Sequence, residues 1–260
     1  MPTQASASVL DLNQLRRTCK ACALYELCLP AGIDGAGLDQ LDAVVRDRHS
    51  LNRGDILYRD GQPFTALYVV RAGALKTYVQ DAAGDVQILG FHLPGEIVGF
   101  DALATDFHIS HAEALERSSI CELPFAKLQQ VTHDVPALQR QLLRVISREV
   151  VGEHEHLATM GKQQAQERLA GFLHSMADRY ARLNRDSTSL TLPMSRADIA
   201  NYLGLVVETV SRGFTRLEDM GVLAVNRKQV RILRPDVLAS LCSPNGADAP
   251  RPRVQSGSGR

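Results

Sequence analysis

"MSRADIANYLGLVVETVSRGFTRL", residues 194–217, reads as two short helices joined by a tight turn. Ser195 is a good N-cap, and Asp198 three residues later suits a first helical turn. "RADIANYL" sets Ile199, Ala200 and Leu203 on one inward face. Gly204 supplies the turn, and "VETVSRGFTRL" directs Val210, Phe214 and Leu217 inward. A small Ala200, a turn glycine and an inward Val210 let two helices cross closely. That combination predicts a helix-turn-helix, whose second helix enters the DNA major groove by its N-terminal half. Glu208, Ser211 and Arg212 share the exposed face of this helix. Arginine fits guanine O6 and N7, glutamate accepts from cytosine N4, and serine meets base or phosphate. Ser195, at the start of the first helix, is grouped with them. Gly213 is a blemish, since glycine inside a helix costs about 1 kcal/mol relative to alanine. Next, "GVLAVNRKQVRIL" (221–233) reads as two strands around Asn226-Arg227-Lys228, a wing placed near phosphates.

Upstream, residues 163–183 form a helical pattern with Leu169, Phe172, Leu173 and Met176 as its apolar stripe. Before it, Leu143, Ile146, Val150, Glu153, Leu157 and Met160 recur at alternating spacings of three and four. This is a heptad seam on a long helix after Pro136, and an identical helix from a second chain is its simplest partner. Glu153 would face its symmetry mate, and like charges in a partly buried seam repel, so the dimer is expected to be poised rather than permanent.

From about Asn52 to Phe125 the pattern is short β-rich runs punctuated by Gly54, Gly61, Gly73, Gly84 and Gly95, the rhythm of a sandwich or barrel. The tail from Ser243 is rich in Pro, Gly, Ser and Arg and reads as disordered. Lysine plus arginine and aspartate plus glutamate number 29 each, so any basic surface must be local. No apolar run approaches the about 18 residues of a membrane span, and no signal-peptide pattern opens the chain, which gives a cytoplasmic reading with no membrane partner. No nucleophile–base pair, P-loop or Gly-rich phosphate motif supports an enzyme.

Three of the five cysteines lie in "TCKACALYELCLP", residues 18–30: Cys19, Cys22 and Cys28. Cys121 follows far downstream. A reducing compartment argues against disulfides. Zinc, redox thiols and an iron–sulfur cluster all remain open, because soft sulfur ligands serve each of them.

A β-roll, a long helix and a winged helix-turn-helix, in that order, resemble the CRP/FNR superfamily of bacterial transcription regulators over residues 19–242. "VETVSR" (207–212) resembles that superfamily's recognition helix, which makes Glu208, Ser211 and Arg212 the base readers. Val207 stands where cyclic-AMP-responsive members carry arginine. The FNR branch is implied, with TTGAT half-sites paired as an inverted repeat. The resemblance implies an α+β chain: a cluster-binding segment (1–30), a cyclic-nucleotide-binding-like β-roll (31–133), a dimerisation helix (134–162) with Ile146, Val150, Glu153, Leu157 and Met160 at the interface, a DNA-binding domain (163–242) and the tail (243–260). Gly95-Glu96 is present, but "HISHAEALE" (108–116) lacks the arginine that holds a cyclic phosphate, so cyclic AMP is disfavoured. No haem-type ligand is assignable, and His49, His92, His108, His111 and His133 read as ordinary surface or loop residues.

The arrangement Cys19, Cys22, Cys28 and Cys121 is similar to that of the FNR oxygen sensors, where it holds a [4Fe–4S] cluster. By that likeness, oxygen converts the cluster to a [2Fe–2S] form, Glu153 repulsion favours monomer, and DNA affinity falls. Leu27 is a candidate shield for the cluster. Gly84 and Asp85 belong to a segment resembling the surface that meets RNA polymerase. The alternative is a regulator of the same architecture that senses oxidation through metal-free thiols.

Overall fold

A computed structural model of the chain describes residues 19, 22–162 and 164–242. The expected tail and most of the first 21 residues lie outside them. A short helix, α1 (Gly35–Val44), opens the described fold, capped by Asp34, whose carboxylate accepts from Gly37 N at 2.8 Å. Eight strands follow: β1 (Arg46–Leu51), β2 (Ile56–Tyr58), β3 (Ala66–Ala72), β4 (Leu75–Gln80), β5 (Val86–His92), β6 (Ile97–Val98), β7 (His111–Ala114) and β8 (Ser118–Pro124). They form two antiparallel sheets ordered β1-β8-β3-β6 and β2-β7-β4-β5. Alternating side chains, such as Ala112 and Ala114 on β7, meet Tyr58, Val70, Leu75 and Ile120 between the sheets. Gly73 turns β3 into β4 at φ +80°, and a Cβ there would sit 2.6 Å from the Arg117 carbonyl. Only glycine satisfies both constraints.

The roll ends in α2 (Phe125–Asp134), a helix inside the bounds expected for the β-roll. Then comes α3 (Pro136–Lys162), the expected long helix. Leu128, Val131 and Leu138 from these helices, with Leu41 and Val44 of α1, cover the outer face of the first sheet.

The C-terminal part consists of α4 (Ala165–Arg182), β9 (Ser189–Thr191), α5 (Arg196–Tyr202), α6 (Val207–Asp219), β10 (Leu223–Asn226), β11 (Gln229–Ile232) and α7 (Pro235–Cys242). The strands order as β10-β11-β9. Gly213 is explained by packing: a Cβ on it would lie 2.7 Å from Leu169 Cδ2, so its absence lets α6 close on α4.

One apolar core joins the C-terminal part to the β-roll, combining Leu173, Ile199, Val210 and Phe214 with Ile88, Phe91 and Leu93. Polar contacts lock the same junction. Asn201 accepts from Ile88 N and donates to the Val86 carbonyl, both at 2.6 Å, satisfying the edge of β5. Lys76 on β4 reaches Asp198 at 3.2 Å.

Candidate functional site

The helix-turn-helix is built as expected. Ser195 caps α5 in a reciprocal box: its hydroxyl oxygen accepts from Asp198 N at 3.1 Å, and Asp198 accepts from Ser195 N at 2.8 Å. The Ser195 hydroxyl is thereby committed to the helix start. Gly204 turns between the helices at φ +59°, with Leu205 N bonded to the Ala200 carbonyl. On α6, Val210, Phe214 and Leu217 are buried, whereas Val207, Glu208, Ser211 and Arg212 are exposed on the opposite side. The β10–β11 turn places Arg227 at φ +56°, with Lys228 beside it. The wing therefore carries cations next to the reading helix.

Cys19, Cys22, Cys28 and Cys121 line a single cavity. Three come from the loop before α1, and Cys121 comes from β8, which pairs it with Val69. Most of the remaining wall is apolar, including Leu24, Tyr25, Leu29, Leu41 and Leu123. Burial first, and then the neighbouring thiols Cys121 and Cys22, push Cys28 up to about 12, against an opposing backbone hydrogen bond. Burial and then the Asp42 carboxylate raise Cys19 further. Asp42 also accepts from Cys19 N at 2.6 Å. Among the described residues, no three His, Cys, Asp or Glu side chains converge as a single ion would require. A cubane is held differently, by one thiolate on each of four irons, so its ligands surround a volume rather than a point. Four cysteines around one mostly apolar cavity fit that donor set.

The loop is tied to α3. Gln141, buried on α3, donates to the Cys28 carbonyl at 3.3 Å, and Leu138 packs in the same core as Cys28 and Cys121. Sequence spacing held no sign of Gln141, which stands 113 residues from its partner. Leu27 is not part of the cavity wall. It lies against Gly95, whose Cβ would be 3.3 Å from Leu27 Cβ, so it packs on the β-roll.

Along the seam, Leu143, Val150 and Leu157 are 60%, 44% and 66% exposed, Ile146 is half-buried, and Glu153 is exposed. Met160 differs, because it packs within the chain. Its carbonyl accepts from Arg168 at 2.7 Å, and its methyl group fills the space beside Gly204.

Glu96 is engaged within the chain. Burial alone would raise its carboxyl, but the Arg179 guanidinium on α4 and its hydrogen bonds prevail and hold it below the usual range. Arg179 also donates to the Phe91 carbonyl at 2.5 Å. Two histidines correct the surface expectation. His92 is buried against Thr77 at 3.0 Å, and burial pushes it down to about 4. His108 is buried too, stacked 3.8 Å from Tyr58 and bonded to Asp101.

A winged helix-turn-helix carried on a β-roll and a long helix defines a DNA-binding transcription regulator. Residues 167–241 match the Crp-like helix-turn-helix domain, and residues 48–134 match the cyclic nucleotide-binding domain. The transcriptional regulatory protein btr of Bordetella pertussis is 43% identical over 83% of this chain and 89% of its own. The transcriptional activator protein Anr of Pseudomonas protegens is 42% identical over 86% and 91%, and the fumarate and nitrate reduction regulatory protein of Escherichia coli 39% over 86% and 89%. The solved structure of FixK2 from Bradyrhizobium japonicum superposes with a TM-score of 0.71 at 29% identity, covering 79% of this chain and all of that one. The chain belongs to the CRP/FNR family, as an FNR/Anr-like transcription regulator and not an enzyme.

Proposed function

We propose that this regulator is a cytoplasmic oxygen sensor. In this reading Cys19, Cys22, Cys28 and Cys121 hold a [4Fe–4S] cluster, and the homodimer binds TTGAT-type inverted repeats while the cluster is intact. One observation supports it most: thiols separated by more than ninety residues line one cavity, and α3 is bonded to that cavity's wall through Gln141. Bound there, the cluster would supply an oxygen-labile cross-link between the loop before α1 and β8. The chain's own residues do the rest. Gln141 fixes the register of α3 on the loop, Leu157 and its neighbours form the dimer seam, and Glu153 keeps that dimer marginal. Glu208, Ser211 and Arg212 read bases, Val207 adds an apolar contact, and Arg227 and Lys228 hold phosphate. Gly84 and Asp85, at the tip of the β4–β5 hairpin, are the proposed contact with RNA polymerase.

Direct thiol oxidation is less well supported. Buried thiols held protonated are poor nucleophiles, whereas iron binding displaces the proton and leaves a thiolate. The test is to purify the protein without air and assay iron and acid-labile sulfide. About four of each per chain is the expected result, and zinc or no metal would overturn the reading. Air should then weaken binding to a TTGAT inverted repeat.

A further inference from the structure

We propose that Arg71 is the charge partner of the cluster, a positioning residue that holds the anionic group in an otherwise apolar wall. This rests on the cluster reading above. Arg71 is the one charged side chain lining the thiol cavity among the described residues. Its side chain makes no hydrogen bond or ion pair with any of them, and the residue is half-buried. Its backbone setting is special as well. The β3–β8 register runs Val69 to Cys121 and Val70 to Ile120, then slips, and Ala72 faces Ser119. Arg71 is therefore the extra residue of a β-bulge, two positions from a ligand's pairing partner. Bulges re-aim the side chain they carry, and this one reaches the same cavity as Val69.

The chemistry calls for a cation. Four thiolates outweigh the charge of the iron–sulfur core, which leaves a net anion in a wall of Leu24, Leu29, Leu41, Val45 and Leu123. An anion out of water is costly unless an opposite charge faces it. The nearby carboxylate, Asp42, has the wrong sign and already accepts from Cys19 N. A cluster's reduction potential follows its surrounding charge. Removing Arg71 therefore makes the cluster easier both to oxidise and to lose.

The test loads wild-type protein, Arg71→Gln and Arg71→Lys with iron and sulfide under anaerobic conditions. Wild type without iron and sulfide would overturn the cluster reading, and this proposal with it. With clusters in place, a chelator challenge without air should bleach the Arg71→Gln cluster about threefold faster or more than wild type, with Arg71→Lys near wild type. High salt should narrow that gap, because a half-exposed charge is screened. The midpoint potential of Arg71→Gln should fall. Equal rates and equal potentials in wild type and Arg71→Gln would overturn the assignment. So would Arg71→Lys behaving like Arg71→Gln, or a lower melting temperature of cluster-free Arg71→Gln, since either marks a packing role.

Discussion

Glu149, half-buried on α3, has its carboxyl pushed up to about 7. Burial is the largest cause, the Glu96 and Glu153 carboxylates add to it, and Arg179 opposes them. A raised acid binds its proton more tightly in the folded chain. The stability it confers is present below the ordinary carboxylate range and is lost as pH rises through about 7. Glu149→Gln should therefore leave thermal stability unchanged near about pH 4 and raise it near about pH 8, by on the order of 1 kcal/mol after discounting for partial exposure. Equal melting shifts at both pH values would remove the buried charge from the account. The two arginines proposed to meet DNA divide by role. Arg212→Ala should cost about 1–3 kcal/mol and relax specificity at one base pair. Arg227→Ala on the wing should weaken all sequences alike and lower the salt slope by about 1. Titrations against site and scrambled duplexes at several salt concentrations separate the two effects. The exposed face of α6 that carries Glu208, Ser211 and Arg212 was legible in the sequence, because amphipathic spacing assigns buried and exposed faces by itself. Arg71, Gln141 and Arg179 were not, because their importance comes from what the fold places opposite them, as with Glu96, 83 residues from Arg179.

At the scale of elements, the contact of α6 with α4 sets the angle of the reading head. Gly213→Ala improves helix propensity by about 1 kcal/mol but drives a Cβ to 2.7 Å from Leu169 Cδ2. Overpacking costs about 1–3 kcal/mol, so the net effect should be destabilising. Chemical denaturation of the variant checks this, and a stabilised Gly213→Ala would show that α4 yields easily. The sequence marked Gly213 as a blemish because periodicity carries no information about which helix lies across from it. The same limit hid α2. The run Phe125–Asp134 has only Leu128 and Val131 fully buried, too weak a stripe to separate from the strand before it. The link between α3 and the thiol loop makes a second element-scale prediction. Gln141→Leu keeps the buried volume but leaves the Cys28 carbonyl without this donor. The cluster should still assemble, while the difference in DNA affinity between anaerobic and air-exposed protein shrinks. An undiminished difference would place the coupling elsewhere in the core shared by Leu138, Cys28 and Cys121.

Across the whole molecule, two connections converge on α3. Its first half packs with the thiol cavity through Leu138 and Gln141. Its second half meets the DNA-reading part, where His156 stacks 4.1 Å from Tyr202 and Met160 abuts Gly204. Between them runs an apolar stripe that the described residues leave uncovered, with Leu157 at 66% exposure. The heptad was legible because it is a local repeat. Met160's place within the chain was not, since the same spacing serves a partner helix or Gly204 equally well. An exposed stripe contributes little to the folding of one chain, so it can be altered without unfolding it. Leu157→Glu should therefore melt like wild type, yet sediment as monomer without air and lose affinity for the inverted repeat. Glu153→Ala changes the same seam in the opposite sense. Removing paired like charges should give more dimer in air and partial DNA binding there. Sedimentation of both variants, with and without oxygen, tests the seam and the switch together. A dimeric Leu157→Glu would move the interface off this stripe, and a Glu153→Ala monomer fraction unchanged in air would take Glu153 out of the switch.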